Sequence, residues 1–146
     1  MQPIVLRAAT ARDRDAVVAL LIASGLPIAG LTRDFPAGYV VAVDDAGLLG
    51  CAGVERYGTA GLLRSVAVGA AAQRRGLGRR LVADRRAWAA SHGLSTLVLL
   101  TVGAAEYFAG LGFRSSARDL VAAAVQASEE FTTTCPGSAA CMLLSL

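Results

Sequence analysis

The residues with the most evident chemical capability form one run, Gln73-Arg74-Arg75-Gly76-Leu77-Gly78-Arg79. It follows the mostly apolar segment Leu62-Leu63-Arg64-Ser65-Val66-Ala67-Val68 and opens a stretch with helical spacing. A strand, a glycine-containing loop and a helix in that order suit phosphate binding. The first turn of a helix offers N–H groups without intrahelical partners and a partial positive charge. Glycines let the backbone approach an anion closely, and arginines add charge-assisted hydrogen bonds. The same residues also fit a tight strand-to-helix turn with solvated arginines. The spacing is not G-x-G-x-x-G, so a dinucleotide-binding fold is not indicated.

Arg64 is a cation inside an otherwise apolar strand. Strand alternation places it on the face of Val66 and Val68. A buried guanidinium needs an anionic partner, which is either Glu55 or the acid group of a substrate. One histidine and three cysteines are too few for a histidine-rich metal centre, and no metal is expected. Cys51 reads as core. Cys135 and Cys141 flank a Pro-Gly turn, a spacing open to a structural role, a thiol pair, a soft-metal site or trivalent arsenic. His92, beside Gly93, reads as a surface or helix-capping residue.

All 14 basic residues are arginine. Without lysine, Schiff-base chemistry and a P-loop NTPase are excluded. Arg74, Arg75, Arg79, Arg80, Arg85 and Arg86 crowd one segment, which suggests a phosphate or polyanion partner or a solvated helix face. Aromatics are only 5% and none interleaves with these arginines, so a nucleic-acid partner is not expected. The 146 residues are 55% hydrophobic and 17% charged, which excludes disorder and suits a single domain over 1–146. No uncharged apolar run reaches the ~18 residues of a membrane span. Met1 to Val5 lacks the pattern of a secretory signal. A cytoplasmic location without membrane attachment is the expectation.

The elements that must position these groups are read from periodicity and turn residues. Strands are predicted over Val5–Ala8, Gly38–Val43, Leu48–Arg56, Leu62–Val68, Leu97–Thr101 and Ala140–Leu146, with a strand-like stretch opening at Phe113. Helices are predicted over Asp13–Ala23, Gly76–Ser91, Ala104–Gly110 and Val121–Ser128. Residues 26 to 36 read as a loop or a broken helix. The order gives a mixed α/β architecture.

The strand Leu62–Val68, the Q-x-x-G-x-G run Gln73–Gly78, and Ala104-Ala105-Glu106-Tyr107-Phe108-Ala109-Gly110-Leu111-Gly112-Phe113 together resemble the GNAT N-acetyltransferase superfamily across nearly the whole chain. The resemblance implies a mixed central sheet, splayed between two strands and flanked by helices. It implies acetyl-CoA as co-substrate and a small-molecule amine as acceptor. Gln73, Arg74, Arg75, Gly76, Leu77, Gly78 and Arg79 would cradle the pyrophosphate. The backbone of Val66, Ala67 and Val68 would pair with the pantetheine arm, and Thr101 stands where the family often has asparagine. A β-bulge in Leu62–Val68 would open the slot toward Leu97–Thr101. A backbone N–H near Val66 would hold the oxyanion.

Glu55-Arg56-Tyr57-Gly58 and Cys135-Pro136-Gly137-Ser138-Ala139-Ala140-Cys141-Met142 further resemble the arsenic-resistance-associated N-acetyltransferases. That likeness implies an acidic, amino-acid-like acceptor, including glutamate analogues that carry an arsenic or phosphorus acid group. An aliphatic ammonium must lose a proton before it attacks, and Glu55 is the expected base. Arg33, Arg64 and Ser65 are the expected acceptor-binding residues. In many members a tyrosine protonates the departing thiolate; here its place is Phe108. Tyr107 is one residue earlier, about 100° around a helix, and is expected to pack in the core. Peptide N-terminal acetylation and an idle acyl-CoA-binding module are the alternative readings. A homodimer is a further expectation of the family likeness.

Overall fold

The computed structural model describes residues 3–29, 31, 35–128, 130–134 and 137–146. Arg33 and Cys135 lie outside the described residues. Strand β1 (Val5–Ala8) leads through a 3-10 turn into α1 (Arg14–Ala23). The Asp13 carboxylate locks that junction, accepting the Thr10 N–H at 2.7 Å and the Arg7 guanidinium at 2.8 and 2.9 Å. Strands β2 (Tyr39–Asp44) and β3 (Gly47–Tyr57) form a hairpin, where Asp44 Oδ1 accepts the Ala46 N–H and Gly47 takes φ +130°. There follow β4 (Ala60–Val68), α2 (Leu77–Ser91), β5 (Thr96–Thr101), α3 (Ala105–Gly110), β6 (Arg114–Ser115), α4 (Ala123–Gln126) and β7 (Ala140–Ser145).

The strands form one sheet in the order β1-β2-β3-β4-β5-β7-β6. All neighbours are antiparallel except β4 and β5, which are parallel and joined through α2. One face packs Val54, Leu63, Leu97 and Leu99 against Val82 and Ala89 of α2 and Phe108 of α3. The other face packs Tyr39, Val41, Cys51 and Ala67 against Val17 and Leu21 of α1, and Leu62, Val98 and Leu100 against Val125 of α4. Apolar burial of this kind stabilises by roughly 25 cal/mol per Å², and it makes the sheet a rigid platform. No helix among the described residues is long and apolar enough to cross a membrane.

Two elements are shorter than their sequence suggests. The segment Val121–Ser128 holds only one helical turn, Ala123–Gln126, after a 3-10 turn at Arg118–Leu120. Its alanines give packing little to grip, and Val125 alone is fully buried within the turn. The stretch from Phe113 pairs only at Arg114 and Ser115. Phe113 itself packs back on α3 from beyond its end, its N–H bonded to Phe108 O and its ring edge-on to Phe108. A π-helical turn at Glu130–Thr134 has no counterpart in the sequence reading. His92 is the C-cap of α2 and stacks on Trp88.

Candidate active site

The site begins with an irregularity in β4. Cys51 pairs with Ala67 and Gly53 with Arg64, so β4 holds one residue more than β3 across this interval. The extra residue is accommodated at Ser65, which takes φ +59°. Such a bulge breaks the two-residue alternation. Arg64 therefore does not share a face with Val66 and Val68, as strict alternation predicted. Arg64 and Ser65 both project to the face of α1 and α4, where Ser65 meets Tyr39, while Val66 packs with Leu77 and Leu81 of α2.

Neighbouring groups hold this strained backbone. Ser65 Oγ lies 2.9 Å from the Tyr39 hydroxyl, and Ser65 O accepts Cys51 Sγ–H at 3.2 Å. The Tyr39 ring crosses β3 at Gly53, where a Cβ would collide with it. Burial pushes the Tyr39 phenol up to about 12, so its proton stays in place at neutral pH. Burial likewise pushes the Cys51 thiol up to about 12, in keeping with a core role.

Beyond the bulge the sheet opens. Pairing of β4 with β5 ends at Leu62 opposite Val98. From Leu63 onward the β4 edge facing β5 has no ladder partner among the described residues. A cavity of about 730 Å³ fills the gap between β4 and β5. Leu63, Arg64, Ser65, Val66 and Val68 form one wall and Leu99, Leu100 and Thr101 the other. A second cleft of about 790 Å³ lies over the loop Gly69–Arg79 and shares Val66, Val68, Gly78 and Tyr107 with the first. The two form one passage from the loop to Arg64.

The loop has the properties an anion needs. Gly76 caps α2 at φ +73° and supplies no side-chain hydrogen bond, so the first-turn N–H groups of α2 are not satisfied by a cap. Gln73 Nε2 donates to Val68 O at 3.2 Å, which ties the loop to the end of β4. Gln73, Arg74, Gly76, Gly78 and Arg79 line the cleft; Arg75 is exposed beside it. The Leu77 side chain is buried in the core, which leaves only its backbone to the cleft. Thr101 is half-buried on the cavity wall.

Tyr107 departs from the sequence expectation. It is 46% exposed and lines both clefts, whereas Phe108 is buried in the core. The helical phase of α3 is fixed by the Phe108–Phe113 contact, which turns Tyr107 outward. Its hydroxyl lies over the start of α2, where a Cβ on Gly78 would meet it at 2.5 Å. The second glycine of the loop thus makes room for this phenol.

A buried charge cluster closes the far end. Arg64 Nη1 donates to Glu55 Oε2 at 3.1 Å, Nη2 to Pro27 O at 3.4 Å and Nε to Ser65 Oγ at 3.3 Å. Glu130 Oε2 stands 3.6 Å from Arg64 Nε. Tyr57 donates to Glu55 Oε1 at 2.8 Å. Burial disfavours the Arg64 charge, but Tyr39, Glu130 and Glu55 together outweigh it and hold its pKa above the ordinary arginine value. Glu55 is not among the residues lining the cavity. Arg56 does not pair with it and reaches His92 O instead.

A splayed parallel pair, a bulge in the first strand and a glycine loop at the following helix are the features on which a family comparison bears. The acetyltransferase (GNAT) domain family matches residues 36–115. The chain belongs to that family. Among solved structures, this chain is similar to N-acetylglutamate synthase from Neisseria gonorrhoeae complexed with coenzyme A and N-acetyl-glutamate, at 23% identity and a TM-score of 0.85. The match covers 99% of this chain and 35% of that one, so the chain spans about a third of the synthase's length. It is also similar to Rv2747 from Mycobacterium tuberculosis in complex with CoA, at 22% identity, a TM-score of 0.81 and coverage of 97% and 99%. A GNAT acetyltransferase from Staphylococcus aureus matches at 12% identity and a TM-score of 0.79, covering 99% of each chain. At these identities the likeness is one of fold. A search of curated proteins finds no significant match.

Proposed function

We propose that the protein transfers an acetyl group from acetyl-CoA to the primary amine of a small, acidic, amino-acid-like acceptor. One observation carries this reading: the passage that runs from the open N-terminus of α2, along the unpaired edge of β4, to the Arg64 guanidinium. Its loop end suits a pyrophosphate, its middle an extended amide-bearing arm that adds to β4 as a strand would, and its far end an acid group. The acceptor class includes glutamate and its arsenic- or phosphorus-acid analogues, in line with the local likeness to the arsenic-resistance-associated enzymes.

In this reading acetyl-CoA supplies an activated acyl carbon and a thiolate leaving group. Gln73, Arg74, Arg75 and Arg79, with the N–H groups of Gly76, Leu77 and Gly78, bind the phosphates. The backbone of Val66, Ala67 and Val68 aligns the arm, and Thr101 borders it on the β5 side. A β4 N–H at Val66 donates to the developing oxyanion. Arg64 and Ser65 orient the acceptor. Glu55 fixes Arg64; it stands off the cavity, and a guanidinium that keeps its protons cannot relay one to it, so this reading does not make it the base. Tyr107 Oη–H is the proton donor to sulfur that Phe108 cannot be. A phenol in the passage favours transfer over an idle acyl-CoA-binding module, since it supplies a donor where Phe108 has none.

Thiol release from acetyl-CoA is the test, with L-glutamate, L-glutamine, a phosphinic glutamate analogue and a short peptide amine as acceptors. Release that depends on the small acidic amines supports the reading. Release with the peptide alone would favour N-terminal acetylation, and no amine-dependent release with tight coenzyme A binding would favour the idle module.

A further inference from the structure

Glu130 is the charged residue of the cavity for which the proposed reaction has found no use. Among the described residues it is the one carboxylate on the cavity lining. It is 5% exposed. Its segment is anchored by Phe131, whose ring is buried beneath the Arg118 guanidinium and whose N–H bonds to Ser128 Oγ. Glu55 takes the closer contact with Arg64, 3.1 Å against 3.6 Å for Glu130, and does so off the cavity. A molecule entering along β4 therefore meets Arg64 and Glu130 side by side, one fixed cation and one fixed anion.

The geometry points to Glu130 as the group that receives the acceptor's ammonium and takes its proton. This rests on the reading above, that an amine is acetylated in this cavity. An ammonium that leaves water needs an anionic partner, and the low dielectric of a buried wall strengthens the pairing. The matching ligand class is a zwitterion, with its acid group on Arg64 and its ammonium on Glu130. In the reaction, a Glu130 oxygen accepts one proton and the N–H bonding pair stays on nitrogen. That pair forms the N–C bond to the thioester carbonyl, and the C–S pair leaves on sulfur. The second nitrogen proton passes to sulfur by way of Tyr107 Oη or water, and Glu130 returns its proton to solvent.

Two measurements separate this inference from its parent reading. Coenzyme A-loaded protein is titrated calorimetrically with L-glutamate and with glutarate, which differ by the ammonium group. Wild type should bind L-glutamate at least ~10-fold more tightly, Glu130→Gln should lose that preference, and Glu130→Asp should keep most of it. In thiol release with L-glutamate, Glu130→Gln should lower kcat by ~10²-fold or more, with partial recovery in Glu130→Asp. Equal wild-type affinity for the two ligands, binding of neither, or an unchanged preference in folded Glu130→Gln overturns the assignment. A preference for L-glutamate that Glu130→Gln loses, in a protein that transfers no acetyl group, supports Glu130's place at the ammonium and sinks the transfer reading alone.

Discussion

Arg64 and Ser65 are adjacent in the chain and present their side chains on the same face of β4, because Ser65 occupies the left-handed region at the bulge. A regular strand would point one of them toward α2. The bulge lies just past the last β4–β5 pair, Leu62 with Val98, and turns a guanidinium and a hydroxyl into the cavity that opens there.

The Arg64–Glu55 pair should be structural as well as functional. Both side chains are largely buried, at 3% and 11% exposure. Removing Arg64 leaves the Glu55 and Glu130 charges uncompensated, and loss of a buried partner typically costs about 3–5 kcal/mol. Arg64→Ala should lower the melting temperature markedly, Glu55→Gln less because its amide still accepts from Arg64. The double variant should show strong coupling in a stability cycle. Additive effects would mean the pair does not hold β4 to β3.

Tyr107→Phe should lower kcat for thiol release by ~10²-fold or more, as loss of a general acid does. The ring is half-exposed, so the melting temperature should change little. A kcat within a few-fold of wild type would remove Tyr107 from the chemistry.

Gly76→Asp should weaken coenzyme A by at least ~10-fold in calorimetry, since it sets a negative charge at the start of α2 where an anion is to bind. A Cβ there meets nothing within 4 Å, and aspartate tolerates the left-handed φ of +73° better than most residues, so the backbone strain should lower the melting temperature without unfolding the protein. Unchanged affinity in the folded variant would place the phosphates elsewhere.

Acid stability should depend on Asp13. The Arg7 hydrogen bonds hold its carboxyl at about 2, below the ordinary 3.8, and outweigh burial. A depressed folded pKa stabilises above the unfolded value and loses its effect as pH falls through the folded one. The stability difference between wild type and Asp13→Asn should be constant above about pH 4 and shrink toward pH 2. Thermal melting across that range measures it. A difference that does not change with pH would show the Arg7 contact to be absent in solution.

The strand and helix order and the glycine loop were legible because each has a local signal: valine-rich segments, the Asp-Asp-Ala-Gly hairpin turn, and glycines before a helical stretch; the β4–β5 gap has no such signal and was implied by the family resemblance alone. The orientation of Arg64 was not, because a serine in the left-handed region carries no composition signal and its place depends on Tyr39 across the sheet. Tyr107 was misread because the rotation of a six-residue helix is set by Phe113, beyond its end. Glu130 went unnoticed because it lies in a π-helical turn whose position at Arg64 is a long-range contact.

Docking of the acceptor at Arg64, with acetyl-CoA held elsewhere along the passage, is decided by steady-state thiol release with L-glutamate for wild type and for Arg64→Ala below its melting transition. Loss of the buried charge-assisted contact should raise the acceptor KM at least ~30-fold and leave the KM for acetyl-CoA within about twofold. An acceptor KM that stays the same, or a parallel rise in both constants, would mean that the acceptor does not dock at Arg64.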